Sequence, residues 1–134
     1  MYGKIIYTLL NADADYRSAL GVDSAGDIKI YPKTADQCVK RPYMVYSLIS
    51  RTEDANKDER GPVTFNVQVD HYASTDGQAE NLDKKCIEIL DRFKGHVAGV
   101  AVTRIRVFGG GAGFSEKLEA DRRTSEFSIK VNPY

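Results

Sequence analysis

The chain has 134 residues, 42% hydrophobic and 28% charged, with 19 lysines plus arginines against 19 aspartates plus glutamates. That length suits one domain able to bury a core without disulfide or metal staples. A chain with no net charge has no bulk attraction for phosphate, which disfavours sequence-independent nucleic-acid binding, and little to hold its own copies apart.

The opening residues read as a helix, because Tyr2, Ile5, Ile6, Leu9 and Leu10 fall on one stripe. Asn11 to Asp15 breaks the pattern, and "YRSALG" offers one more helical turn stopped by Gly21. "DIKIYP" predicts a short strand over Asp27–Tyr31, ended by Pro32. "PYMVYSLIS", Pro42 to Ser50, is a strand apolar on both faces. It is followed by "RTEDANKDERG", where seven of eleven residues are charged; the expectation is a solvated arm between antiparallel strands.

"PVTFNVQVDHYAST" alternates Val63, Phe65, Val67 and Val69 with Thr64, Asn66, Gln68 and Asp70, the signature of a strand with one buried face. The next segment is a helix: Thr75 with Gln78 has capping-box spacing, and Ala79, Leu82, Cys86, Ile89, Leu90 and Phe93 form a stripe. Glu80–Lys84 and Glu88–Arg92 are spaced to pair on its wet side, and Gly95 is placed to end it. "VAVTRIRVF" predicts a strand with Thr103, Ile105 and Val107 on one face and Arg104 and Arg106 on the other. "GGGAGFSEKLEADRR" reads as a second long flexible loop, and "TSEFSIKV" as a last strand with Phe127, Ile129 and Val131 inward.

The order α-β-β-β-α-β-β clusters strands into hairpins. It predicts a single α+β domain over 1–134, with an antiparallel or mixed sheet of about four to five strands and two main helices on one face. The flexible loops are expected at about 51–61 and 109–123. The open face of the sheet would carry Thr64, Asn66, Gln68, Asp70, Arg104, Arg106, Ser128 and Lys130.

No reaction chemistry is legible. His71 and Asp70 are neighbours in one strand and so point to opposite faces, which is wrong for a dyad; His71 reads as structural, and His96 as a helix cap. "FGGGAGF" follows a strand, but the βαβ context of a dinucleotide site is missing, and so is the Gly-Lys-Ser/Thr of a phosphate loop. Cys38 and Cys86 have neither metal-site spacing nor a disulfide pattern, which points to folding in a reducing cytosol. The N-terminus lacks a secretory pattern, and no apolar run approaches the roughly 18 residues of a membrane span. The expectation is a non-enzyme with no cofactor, no metal and no membrane partner.

The runs "IKIYP", "RPYMVYSLIS", "VQVDHYAST", "NLDKKCIEIL" and "RRTSEFSIKV", in that order, resemble the small tail-completion proteins of long-tailed phages. These are also called tail terminators or head–tail joining proteins, and relatives occur in prophages and gene transfer agents. The matching features are Tyr-Pro after the first short strand, Pro-Tyr opening the second, a strand ending Asp-x-aromatic-Ala before a polar-capped helix, and Arg-x-x-x-Glu-Phe in the last strand. The resemblance covers nearly the whole chain.

It implies a virion structural protein at the head-proximal end of the tail, assembled in a bacterial cytoplasm. The protein would form a homo-hexameric ring that stops tube growth and docks the head connector or stopper, with DNA passing through the hole. On that reading Thr64, Asn66, Gln68, Asp70, Arg104 and Arg106 face a neighbouring subunit or the lumen. Arg51, Glu53, Asp54, Lys57, Asp58, Glu59, Arg60, Gly110, Gly111 and Phe114 belong to docking loops. The alternatives are a small α+β ligand-binding protein or enzyme, with a pocket near His71, Tyr72 and Tyr46, and a single-strand nucleic-acid binder using sheet aromatics.

Overall fold

The computed structural model describes residues 2–23, 25–33, 40–53, 61–115 and 120–132. Helices α1 (Tyr2–Asn11) and α2 (Ala14–Leu20) open the chain, followed by strands β1 (Ile30–Pro32), β2 (Tyr43–Glu53) and β3 (Val63–Ala73). Helix α3 (Asp76–Leu90) then leads to β4 (Gly95–Val97), β5 (Val100–Ser115) and β6 (Ala120–Asn132). The strands form one sheet in the order β1-β2-β3-β6-β5-β4, parallel between β1 and β2 and antiparallel elsewhere. The α+β class holds, but the described residues form three helices and six strands where the sequence predicts two main helices and four to five strands.

The inward row of β3, Val63 to Val69, meets Phe127, Ile129 and Val131 of β6 and Ile105 of β5. Ile5, Ile6 and Leu10 of α1, Tyr16 and Leu20 of α2, and Leu82, Cys86 and Leu90 of α3 complete the same core. The break after α1 is a cap: the Tyr16 amide donates to Asp13 Oδ1 at 2.9 Å, and Gly21 ends α2 at φ 86. Thr75 caps α3 through the Gln78 amide at 3.2 Å, while the Gln78 side chain accepts from the Ser74 amide, one residue before the position a full capping box uses.

Several local expectations are corrected. Helix α3 ends at Leu90, five residues before Gly95; Arg92 takes the left-handed turn at φ 66, and Gly95 begins β4. His96 pairs with Ala101 in that strand and lies exposed, so it caps no helix. The helix-surface pairs Glu80–Lys84 and Glu88–Arg92 are not among the ion pairs of the described residues. Arg123 of β6 instead reaches Asp76 at 3.0 Å and Glu80 at 3.8 Å, tying α3 to the sheet.

The glycine-rich segment is strand, not loop. β5 continues through Gly109–Ser115 against β6, with Gly110 opposite Ser125 and Phe114 opposite Asp121. β2 likewise runs on through Arg51 to Glu53, whose side chains form an ion pair. Asp54, Lys57, Asp58, Glu59, Arg60 and Cys38 lie outside the described residues.

Two bulges set the faces of β5. Register shifts between Val102 and Arg104, so Thr103 is exposed instead of sharing the inward row with Ile105. A second shift between Val107 and Gly109 places Phe108 at an irregularity, where it is 55% exposed.

Candidate functional site

Pairing across β2, β3, β6 and β5 arranges the outer face of the sheet in rows. One row is Thr52, Thr64, Lys130 and Arg104; the next is Ser50, Asn66, Ser128 and Arg106. Then come Ser47, Gln68, Glu126 and Gly109, followed by Val45, Asp70, Thr124 and Gly111, and finally Tyr43, Tyr72, Arg122 and Gly113. The strand parity read from sequence therefore brings Thr64, Asn66, Gln68, Asp70, Arg104, Arg106, Ser128 and Lys130 onto one face. Gly111 joins them, while Gly110 faces the other way beside Ser125.

The two ends of this face differ in chemistry. At one end the polar groups satisfy each other. Gln68 donates to both carboxylate oxygens of Asp70 at 3.3 and 3.1 Å, and Thr124 donates to the same carboxylate at 2.5 Å. Tyr43 and Tyr72 stack with centroids 5.2 Å apart. Burial raises the phenol pKa of both, and the Asp70 charge raises that of Tyr72 further.

At the other end Asn66 donates to Ser50 at 2.7 Å, but Arg104, Arg106 and Lys130 have no hydrogen-bond or ion-pair partner among the described residues. Lys130 stands directly opposite Arg104, and Arg106 follows two residues along the same strand. A shallow groove of about 690 Å³ crosses this end, lined by Ile49, Asn66, Arg106, Phe108, Glu126 and Ser128 among others. A smaller one of about 320 Å³ runs beside Gly110, Gly111, Arg122 and Thr124.

The glycines of β5 have separate reasons. A Cβ on Gly110 would sit 2.6 Å from the Thr124 carbonyl oxygen, and one on Gly109 would sit 2.9 Å from the Glu126 carboxylate. A Cβ on Gly113 would meet the Arg122 guanidinium at 3.0 Å, whereas Gly111 faces open space.

Under the sheet lies a polar cluster that the sequence reading missed. His71 points inward and is fully buried; Tyr16 Oη lies 2.6 Å from its Nε2, and Asp83 Oδ1 lies 3.8 Å from its Nδ1. Burial raises the Tyr16 phenol well above its ordinary value, so it stays protonated and shares one hydrogen bond with Nε2, whose direction is set by the His71 tautomer. The other ring nitrogen, Nδ1, is buried without a hydrogen-bond partner among the described residues. Burial alone lowers the His71 pKa to about 3. Asp83 accepts from Ser125 at 2.5 Å, and burial raises its pKa. Cys86 is fully buried with its thiol pushed well up, first by burial and then by Asp83, which makes it a poor nucleophile.

The parity that puts Phe127 inward also puts Ser125 inward, and Asp83 adjoins the Leu82 of the α3 stripe; those were the available signals. The enzyme alternative needed His71, Tyr72 and Tyr46 to converge. Tyr72 instead occupies the face opposite His71, and Tyr46 packs edge-on to Tyr2 with centroids 6.0 Å apart. Among the described residues no group of three His, Cys, Asp or Glu side chains is placed to hold a metal, and no helix is long and apolar enough to cross a membrane.

The sequence matches no protein-family model and no curated protein. Among solved structures, the chain is similar to one from the virion of a native gene transfer agent particle. The TM-score is 0.71 at 17% identity, over 96% of this chain and 92% of that one. At that identity the likeness is one of fold.

Proposed function

We propose that this protein is a virion structural component that closes the head-proximal end of a phage-type tail as a hexameric ring and forms the joint to the head. The observation that carries this reading is the end-to-end likeness in fold to a chain of a gene transfer agent virion. The sequence resemblance to tail-completion proteins points the same way. The polar outer face suits the role: Thr64, Asn66, Gln68 and Ser128 are uncharged and desolvate at lower cost than ammonium groups would. A head-to-tail contact, in which one surface of a copy meets a different surface of the next, closes into a ring when the rotation allows. The ring would meet the tail tube on one side and the head connector on the other, with DNA passing through.

The test is size-exclusion chromatography with light scattering, together with electron microscopy of the purified protein alone and with tail tubes. Rings of six, free or seated on tube ends, are the expected result. A protein that stays monomeric alone and leaves tube ends bare refutes the reading. A second variant addresses the charged arm: deletion within Glu53–Arg60 is expected to preserve the melting temperature but abolish head–tail joining. Full-titre particles from that deletion would remove the arm from the docking surface.

A further inference from the structure

The unpartnered cations at one end of the outer face carry a more specific statement, which rests on the ring reading. We infer that Arg104, Arg106 and Lys130 of one copy meet the aspartates of α2 and its flanking turns on the next copy. Three observations support this contact.

First, Arg104 and Lys130 are a directly opposed cross-strand pair of like charge, an arrangement that costs stability in an isolated sheet. Arg106 adds a third positive charge two residues on, about 7 Å away along the strand. None of the three has an acidic partner among the described residues, so no described carboxylate offsets their repulsion, and a carboxylate on a second copy can.

Second, the same chain carries the complement. Residues 13–27 contain four aspartates (Asp13, Asp15, Asp23 and Asp27) against one arginine and no lysine. Asp13 is occupied as the α2 cap and Asp23 folds back on its own turn. Asp15 and Asp27 are exposed, and neither carboxylate makes a hydrogen bond or ion pair among the described residues.

Third, the two patches are separate: the cations lie on the outer face of the sheet, Asp15 lies on α2 in the helix layer, and Asp27 lies on the turn that leads into β1. A basic front and an acidic back on one neutral body suit head-to-tail repetition, and the like-charge alternatives, front to front and back to back, repel. Duplex nucleic acid is the competing anion. The zero net charge and the presence of a built-in complement favour the second copy.

The experiment is a charge swap read by light scattering and electron microscopy at low and moderate salt, with tail tubes added where wild-type rings need them. One variant carries R104E, R106E and K130E; the other carries D15K and D27K. Each alone is expected to assemble about tenfold or more weakly than wild type, because every contact is then like against like. Mixed together, the two are expected to regain rings of alternating composition, since each front now meets an opposite back. That recovery also demonstrates that both variants fold. A milder pair, R104A with K130A, serves if the triple reversal proves insoluble, with weaker assembly again expected.

Wild-type rings that survive both reversals sink this contact and leave the ring reading standing. A wild-type protein that forms no ring with or without tubes sinks both. Intact rings from the triple reversal, with loss of binding to a fluorescein-labelled duplex, reassign the patch to nucleic acid and overturn the proposal.

Discussion

The two faces of β3 and β6 handle polar groups in opposite ways. Inward, His71, Arg123 and Ser125 interrupt a mostly apolar surface, and each has a named partner, Tyr16, Asp76 or Asp83, supplied from the helix layer. Outward, Gln68, Asp70 and Thr124 close on one another, but Arg104, Arg106 and Lys130 are left open. The inner polar groups are thus bound by the fold itself, whereas the outer cations have no partner among the described residues. Mutations should separate the two: inner changes cost folding, and outer changes cost assembly.

The largest contrast comes from truncation. Phe127 is fully buried, and Phe127→Ala is expected to cost about 3–5 kcal/mol of stability in urea unfolding. Thr64→Ala, in the adjacent strand on the outer face, should stay within about 0.5 kcal/mol. Similar losses from both would mean that the outer face is packed against something within the subunit.

A second contrast uses pH. The folded His71 pKa, about 3, lies below its unfolded value near 6.5. Between those values the unfolded chain binds the extra proton. The contribution is therefore complete above about pH 6.5 and is lost as pH falls toward 3, with a slope of up to about 1.4 kcal/mol per unit. Asp83, whose pKa is raised, works in the opposite sense, so the histidine is isolated by comparing wild type with His71→Asn across the window from about pH 3 to 6.5. Urea midpoints across that window should fall with acid in the wild type and flatten in His71→Asn. An equally steep loss in the variant would place the acid sensitivity elsewhere. At fixed neutral pH, Tyr16→Phe should cost about 1–3 kcal/mol, because it leaves Nε2 buried without its hydrogen-bond partner.

How much of this was readable in advance depended on the range of the signal. Parity along β3 and the stripe on α3 are local patterns repeated over many residues, so they gave the strand face and the body of the helix, though not its end. Parity in β5 failed at Thr103, because a bulge depends on the partner strand and leaves no local mark. Gly109 to Gly113 reads as loop by propensity, yet pairing with β6 holds it as strand. β4 is three residues long and begins with a glycine, too short to show a period. The outer face followed from parity alone, whereas the His71 cluster joins α2, β3, α3 and β6 and had to await the tertiary arrangement.

The glycines supply a finer contrast within one strand. Gly110→Ala forces a Cβ to 2.6 Å from a backbone carbonyl that cannot turn away, so a melting experiment should show clear loss. Gly111→Ala meets nothing within 4 Å and adds strand-forming character, so the subunit should gain up to about 1 kcal/mol. If Gly111→Ala nonetheless lowers ring formation, a neighbouring copy approaches that backbone closely.

The smallest expected effect is the most discriminating, because its sign differs between subunit and assembly. Arg104→Thr removes one member of the like-charged pair with Lys130 and should stabilise the isolated subunit by about 0.2–1 kcal/mol at low salt. The gain should shrink as salt is added, since exposed charges are screened over about 10 Å at 0.1 M. If the pair is retained to meet the aspartates of a second copy, the same substitution weakens the ring while strengthening its parts. A variant that gains in both measures would show that the repulsion serves no contact, and one that loses in both would show that Arg104 is held by its own subunit.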